Sequence, residues 1–275
     1  MKLELALEIV AQTNAGMVRA HNEDSIAFDA ACGLLVLADG MGGYNAGEVA
    51  SDIAVKVMLE AVTVPLKKST AVALDPASGD ELAIALLGRS IHQANTAIFE
   101  KSRSHAQYAG MGTTIVSALF YDNRVVVGHV GDSRLYRLRG EQLELITRDH
   151  SLLQEQIDSG MISVENARHS RNKNLVTRAV GIDADVVPEV RLYDVEVGDI
   201  YLLCSDGLND MVEDDDIQSV LYAMQGNLPL AAEQLIQTAN DNGGRDNVSV
   251  MLVKVKQDFA QPRSWLLRLL DLFKK

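Results

Sequence analysis

The chain has 275 residues, 47% of them hydrophobic and 23% charged, which suits an ordinary globular protein with one large core or two small ones. A formal charge of −13 excludes broad nucleic-acid binding, which needs a basic surface to displace counterions, but leaves room for an anionic substrate drawn to a locally positive cleft. Only two cysteines are present, Cys32 and Cys204, so a disulfide framework is excluded and both thiols are expected to be reduced in apolar surroundings.

In chain order, residues 5–11, 25–29 and 34–38 carry strand signals. A helix is expected over 46–61, where Val49, Ile53, Val57 and Ala61 recur every four residues on one face. A polar loop at 67–79 separates it from a second helix over 81–101. Strands over 113–120, 124–130, 135–139 and 143–146 follow, divided by turns such as Tyr121-Asp122-Asn123, which is the signature of hairpins and meanders. The last elements are strands over 199–205 and 247–254, with helices over 214–224 and 228–240 between them. The pattern predicts a single α+β sandwich, antiparallel sheets packed face to face with helices outside. Met1-Lys2-Leu3-Glu4-Leu5 lacks the uninterrupted apolar stretch of a signal peptide, and no segment approaches membrane-spanning length, so the cytoplasm is the expected compartment.

Asp39-Gly40-Met41-Gly42-Gly43 stands directly after the apolar run Leu34-Leu35-Val36-Leu37-Ala38, placing a carboxylate at a strand end in a loop without bulk. Further acidic groups occupy similar positions in Asn22-Glu23-Asp24, Gly131-Asp132-Ser133-Arg134, Ser205-Asp206-Gly207-Leu208-Asn209-Asp210 and Gly244-Arg245-Asp246-Asn247. Any one Asp-Gly is more often a turn than a ligand. Together they form a candidate carboxylate cage for Mg²⁺ or Mn²⁺, which take oxygen ligands and keep several waters. Asp39, Asp206 and Asp246 are the leading ligands, and Asp39 is placed to bridge two ions about 4 Å apart. Glu23 and Asp24 are adjacent, so in extended chain they face opposite ways; Glu23 is assigned to the metal side and Asp24 to a supporting role. Arg19 supplies a fork of donors suited to a substrate phosphate. Ser133 and Ser205 lack a His/Asp relay, which disfavours a serine nucleophile.

These residues resemble the PPM/PP2C family of metal-dependent protein serine/threonine phosphatases in its bacterial form. The resemblance runs in order through Gly16-x-x-Arg19-x-x-Asn22-Glu23-Asp24-Ser25, Asp39-Gly40-Met41-Gly42-Gly43, Gly110-Met111-Gly112-Thr113-Thr114 and Gly131-Asp132-Ser133-Arg134. It continues in Thr147-Arg148-Asp149-His150-Ser151, Thr177-Arg178-Ala179-Val180-Gly181, Ser205-Asp206-Gly207-Leu208 and Gly244-x-Asp246-Asn247, covering about residues 8–255.

The resemblance implies an α-β-β-α sandwich of two central antiparallel sheets flanked by helix pairs, with a PP2C-like domain over 1–257 and a tail over 258–275. It implies two core Mn²⁺ or Mg²⁺ ions held by Asp39, the Gly40 carbonyl, Asp206, Asp246 and Glu23, with a third, weaker ion near Asp132 and Asp210. Asp24 and Asn247 are expected to support these ligands, and Arg19 to hold the phosphate of a phosphoserine or phosphothreonine protein. The implied reaction is direct attack by a metal-bridging water, and the implied partners are phosphorylated proteins, a serine/threonine kinase or its substrates. Asn14 stands where many relatives carry aspartate, and Met41 where eukaryotic members place a histidine. Another proton donor is then required. His169, in a segment that resembles the family's mobile flap, is a candidate general acid. A catalytically weak phosphoprotein-binding or metal-sensing module and a hydrolase of another phosphate ester are the competing readings; the absence of a Gly-x-x-x-x-Gly-Lys-Ser/Thr loop counts against a nucleotide substrate.

After Pro262, Trp265, Leu269, Leu272 and Phe273 recur at helical spacing between basic residues. Packing on the chain's own domain, docking on a partner and contact with a membrane surface are the three uses of such a face.

Overall fold

The computed structural model describes residues 3–43, 46–163, 166 and 175–261; His169 and the amphipathic tail lie outside the described residues. Two antiparallel sheets stack face to face. The first runs in the order β1 (Leu7–Asn14), β11 (Val248–Val255), β10 (Ile200–Cys204), β7 (Arg134–Arg139) and β8 (Gln142–Leu145). The second runs β2 (Asp24–Asp29), β3 (Leu34–Met41), β5 (Ile115–Tyr121), β6 (Arg124–Val130) and β9 (Glu189–Asp194), with the short β4 (Gly112–Thr113) paired to the end of β3.

Side-chain alternation explains the layering, because both faces of the central strands are covered. In β3, Leu34, Val36 and Ala38 join the core under helices α2 (Ala46–Leu66) and α3 (Leu82–Ser104), while Leu35 and Leu37 join the core between the sheets. In β10, Leu202 and Cys204 pack beneath α6 (Asp214–Ala223) and α7 (Leu228–Asp241), while Tyr201 and Leu203 enter the inter-sheet core. Each such buried aliphatic side chain contributes about 1.5–3 kcal/mol. This is the expected α-β-β-α sandwich with a helix pair on each outer face.

Three local features differ from expectation. Helix α2 continues beyond Ala61 to Leu66, since buried Val62 and Thr63 outweigh the β-branched run, and Pro65, which has no N–H for the Ala61 carbonyl, comes one residue before the helix ends. Strand β9 carries no strong apolar signal because it is an edge strand paired only with β6, and half of it faces solvent. A short helix, α4 (Leu152–Asp158), capped by the Ser151 hydroxyl on the Gln154 N–H, opens the segment expected to be a flap. Past residue 257 the chain stays attached: Phe259 is buried in the inter-sheet core and the Gln261 N–H donates to Asp122. No described helix is long and apolar enough to cross a membrane.

Candidate active site

The ends of β2 and β3 start the site. Asp24 and Asp39 are registered partners across this strand pair, with Asp39 half-buried and Asp24 buried. The Asp39 backbone is fixed by bonds to its carbonyl from the Thr114 N–H (2.8 Å) and the Thr113 hydroxyl (2.7 Å). Gly40 admits no side chain, since a Cβ there would lie 2.2 Å from the Gly47 carbonyl oxygen and 2.6 Å from that of Glu23. Gly47, at the start of α2, leaves room in turn for the Glu23 carboxylate, whose Oε2 would stand 2.7 Å from a Cβ.

Asn247 organises the opposite wall. Its Oδ1 accepts from the Glu23 N–H at 2.8 Å, and its Nδ2 donates to the carbonyls of Ala15 (3.0 Å) and His21 (2.9 Å), tying the β1–β2 loop at both ends. Arg19 rises from this loop and its Nη2 donates to Asp246 Oδ2 at 2.6 Å. Gly16, at φ +76°, packs so closely on the neighbouring loop that a Cβ would stand 2.2 Å from the Asp246 carbonyl oxygen. Asn14 Oδ1 accepts from the Gly16 N–H, which gives this departure from the family pattern a turn-forming role. Asp206 opens the short helix α5 (Asp206–Asn209) directly after β10.

The carboxylates act on one another. Desolvation, then the charges of Asp24, Asp206, Asp132 and Asp246, pushes Asp39 well above the usual carboxylate range. Asp206 is raised likewise by desolvation, then by Asp132, Asp210 and Asp246. Asp132 is pushed up to about 6 by burial, reinforced by Asp149 and Asp210 and opposed by Arg134. Asp24 also reaches about 6 through burial, although the hydroxyls of Ser249 (2.6 Å) and Ser205 (2.8 Å) donate to its Oδ2 and favour the ionised form. Burial raises Glu23, against the pull of Arg19. Asp39, Asp24, Asp206, Asp246, Asp132, Asp210, Glu23 and Arg19 therefore share one electrostatic field.

Such crowding of like charge is costly without a cation. The donor set is all oxygen, which suits Mn²⁺ or Mg²⁺, and Asp24 Oδ1 is buried without a hydrogen-bond partner. Both observations fit a divalent ion pair with associated water. Among the described residues, His129, His150 and Glu189 also form a trio whose ligand atoms all lie within 4.8 Å of one another. The trio itself is unsuited to a cation. His150 Nδ1 accepts from the Gly131 N–H, so a neutral ring carries its proton on Nε2, and the Arg178 guanidinium lies 3.2 Å from that atom. Burial, with His129 and Arg178, lowers His150 to about 3, and its role is local hydrogen bonding.

Several supporting residues have no role that the sequence assigns, although all of those below except Ser249 lie within the quoted motifs. Ser205 and Ser249 grip Asp24. Thr114 Oγ1 and Ser133 Oγ lie 2.6 Å apart beneath Gly131, where a Cβ would collide with Thr114. Arg134 makes a two-pronged contact with Asp149, at 2.8 Å through Nη2 and 3.0 Å through Nε. Serine and threonine are common in strands, so only the pairing of their strands distinguishes these.

Residues 16–242 match the protein phosphatase 2C family. The chain is 36% identical to the serine/threonine phosphatase stp of Listeria monocytogenes over 88% of its own length and 94% of that protein. It is 37% identical to the serine/threonine protein phosphatase PstP of Mycobacterium tuberculosis over 94% of its own length and 47% of that longer protein. The crystal structure of the Mycobacterium tuberculosis PstP superposes with a TM-score of 0.81 at 36% identity, covering 91% of this chain and 99% of that one. The PstP catalytic domain in complex with two manganese ions superposes with a TM-score of 0.78 at 37% identity, over 91% of this chain and 99% of that one. With its two-sheet architecture, its acidic cluster and this breadth of similarity, the chain belongs to the protein phosphatase 2C family and is a bacterial-type, metal-dependent protein serine/threonine phosphatase.

Proposed function

We propose that Asp39, the Gly40 carbonyl, Asp206, Asp246 and Glu23 hold two Mn²⁺ or Mg²⁺ ions, and that Asp132 and Asp210 serve a third, weaker one. The convergence of Asp39, Asp24, Asp206, Asp246 and Asp132, whose charges act on one another in a desolvated site, is the observation that carries this reading. When bound, such ions lower the pKa of a coordinated water toward neutrality and offset charge on a phosphoryl group.

The protein's own residues do the positioning. Asp24, held through Oδ2 by Ser205 and Ser249, is fixed beside Asp39, its registered partner across the strand pair. Arg19 exchanges Asp246 for the substrate phosphate, presenting two parallel N–H donors to its oxygens. Asn247 keeps Glu23 and the Arg19 loop in register with β11. Stabilising charge as it develops on the phosphoryl oxygens is where such fixed donors count most.

The substrates in this reading are phosphoserine and phosphothreonine proteins, products of a serine/threonine kinase, acted on by a catalytic domain that runs past residue 257 to take in Phe259 and Gln261. Free thiols at Cys32 and Cys204 support a reducing, cytoplasmic setting. Calorimetric titration with Mn²⁺, paired with phosphate release from phosphothreonine peptides, tests the assignment. Asp206→Asn is expected to abolish strong Mn²⁺ binding and turnover together, and Asp132→Asn to remove only a weak binding phase. Turnover in Asp206→Asn at the wild-type level would overturn the ligand set.

A further inference from the structure

Next to Arg19 the surface changes character. Met17 and Val18 are 69% and 68% exposed, an apolar pair at the rim of a site otherwise built from acids. Looseness does not explain the exposure. The Met17 N–H donates to the Gly244 carbonyl at 2.7 Å, the Gly16 N–H to Asn14 Oδ1 at 2.9 Å, and Asn247 holds the flanking carbonyls of Ala15 and His21. The Met17 side chain lies over Gly244, where a Cβ would come within 2.7 Å of Met17 Cγ. Two large apolar side chains are thus held in water on a pinned loop, at the hydration cost that apolar exposure entails.

We propose that Met17 and Val18 form an apolar ledge that binds the residues flanking the phosphoamino acid, so that the enzyme prefers phosphoproteins with a large aliphatic residue within two positions of the phosphoserine or phosphothreonine. The proposal rests on Arg19 as the phosphate-holding residue. Val18 and Met17 precede Arg19 by one and two residues, so their Cα atoms stand about 4 Å and at most about 7 Å from that of Arg19. A peptide whose phosphate meets Arg19 brings its neighbouring side chains over the ledge at the same spacing. Partial burial of one aliphatic side chain there corresponds to about a fivefold gain in kcat/KM, expressed mainly in KM.

The test uses the full chain with Mn²⁺ and two phosphothreonine peptides that differ only in carrying Leu or Gln at the two residues on either side, beside p-nitrophenyl phosphate, which has no flanks. The wild type is expected to favour the Leu peptide about fivefold, and the Met17→Gln/Val18→Thr variant to lose that preference with p-nitrophenyl phosphate turnover within twofold of wild type. Equal use of both peptides by the wild type, or a preference that survives in the variant, would overturn the ledge. Loss of p-nitrophenyl phosphate turnover in the variant would overturn it as well, showing that the pair shapes the loop and does not read flanks. Failure of the wild type to hydrolyse p-nitrophenyl phosphate, by contrast, would strike at the reading of the site itself.

Discussion

Asp24 and Asp39 face each other as a registered pair across β2 and β3, two carboxylates where directly opposed like charges weaken a sheet. The second is held well above the ordinary carboxylate range and the first at about 6. The arrangement trades stability of the metal-free protein for affinity toward cations. Asp24→Asn is therefore expected to raise the melting temperature without metal and to weaken the Mn²⁺-dependent rise about 10- to 100-fold in Mn²⁺ concentration. Thermal denaturation across a Mn²⁺ series checks both signs at once.

The same carboxylates set the pH dependence of the metal-free protein. Asp24 and Asp132 have folded-state values raised to about 6, so the native state binds more protons than the unfolded chain, and their favourable contribution is present at low pH and lost as pH rises through about 6. In chelator, the melting temperature is expected to fall by roughly 5 °C between pH 5 and pH 7.5. Excess Mn²⁺ should reverse the slope, because the cation binds the ionised cage. A metal-free melting temperature that rises over this interval would contradict the burial of uncompensated charge.

Arg19 is largely exposed and its ion pair with Asp246 adds little to stability. Arg19→Lys keeps the charge but loses the two-pronged geometry, so a melting temperature within about 2 °C of wild type and a KM raised roughly tenfold are expected. Steady-state kinetics on a phosphothreonine peptide separate this from a change in folding.

Asn247 satisfies three backbone groups of the β1–β2 loop. Asn247→Ala is expected to destabilise the protein by about 2–3 kcal/mol and to lower activity further than the loss of fold explains, since both Glu23 and Arg19 are displaced. Urea unfolding and kcat/KM at saturating Mn²⁺ measure the two effects. Asn247→Asp retains the acceptor for the Glu23 N–H while losing both donors, and is expected to fall between.

Much of this was legible in the chain because the central strands and the acidic loops carry strong local signals. Apolar runs such as 34–38 read as buried strands, and the carboxylate after each run marks the strand ends where the site assembles. Weak signals belong to elements whose environment is decided by their partners. Strand β9 is half polar and becomes a strand only because β6 offers an edge, and the last turn of α2 forms against its β-branched sequence because Val62 is buried. In the site, the acids and Arg19 were visible from chemistry alone. The roles of Ser205, Ser249 and Thr113 were not, since a hydroxyl acquires its role only when sheet stacking brings the ends of β10 and β11 beside β2, and pairing brings β4 beside β3.

The most direct test is Mn²⁺-dependent phosphate release from phosphoserine, phosphothreonine and phosphotyrosine peptides by the wild type, Asp39→Asn and Asp206→Asn, each with and without chelator. Turnover of the first two peptides that vanishes with chelator and falls at least about 1,000-fold in both variants is the predicted result. Chelator-resistant turnover, or wild-type rates in either variant, would contradict the carboxylate cage as the seat of the reaction.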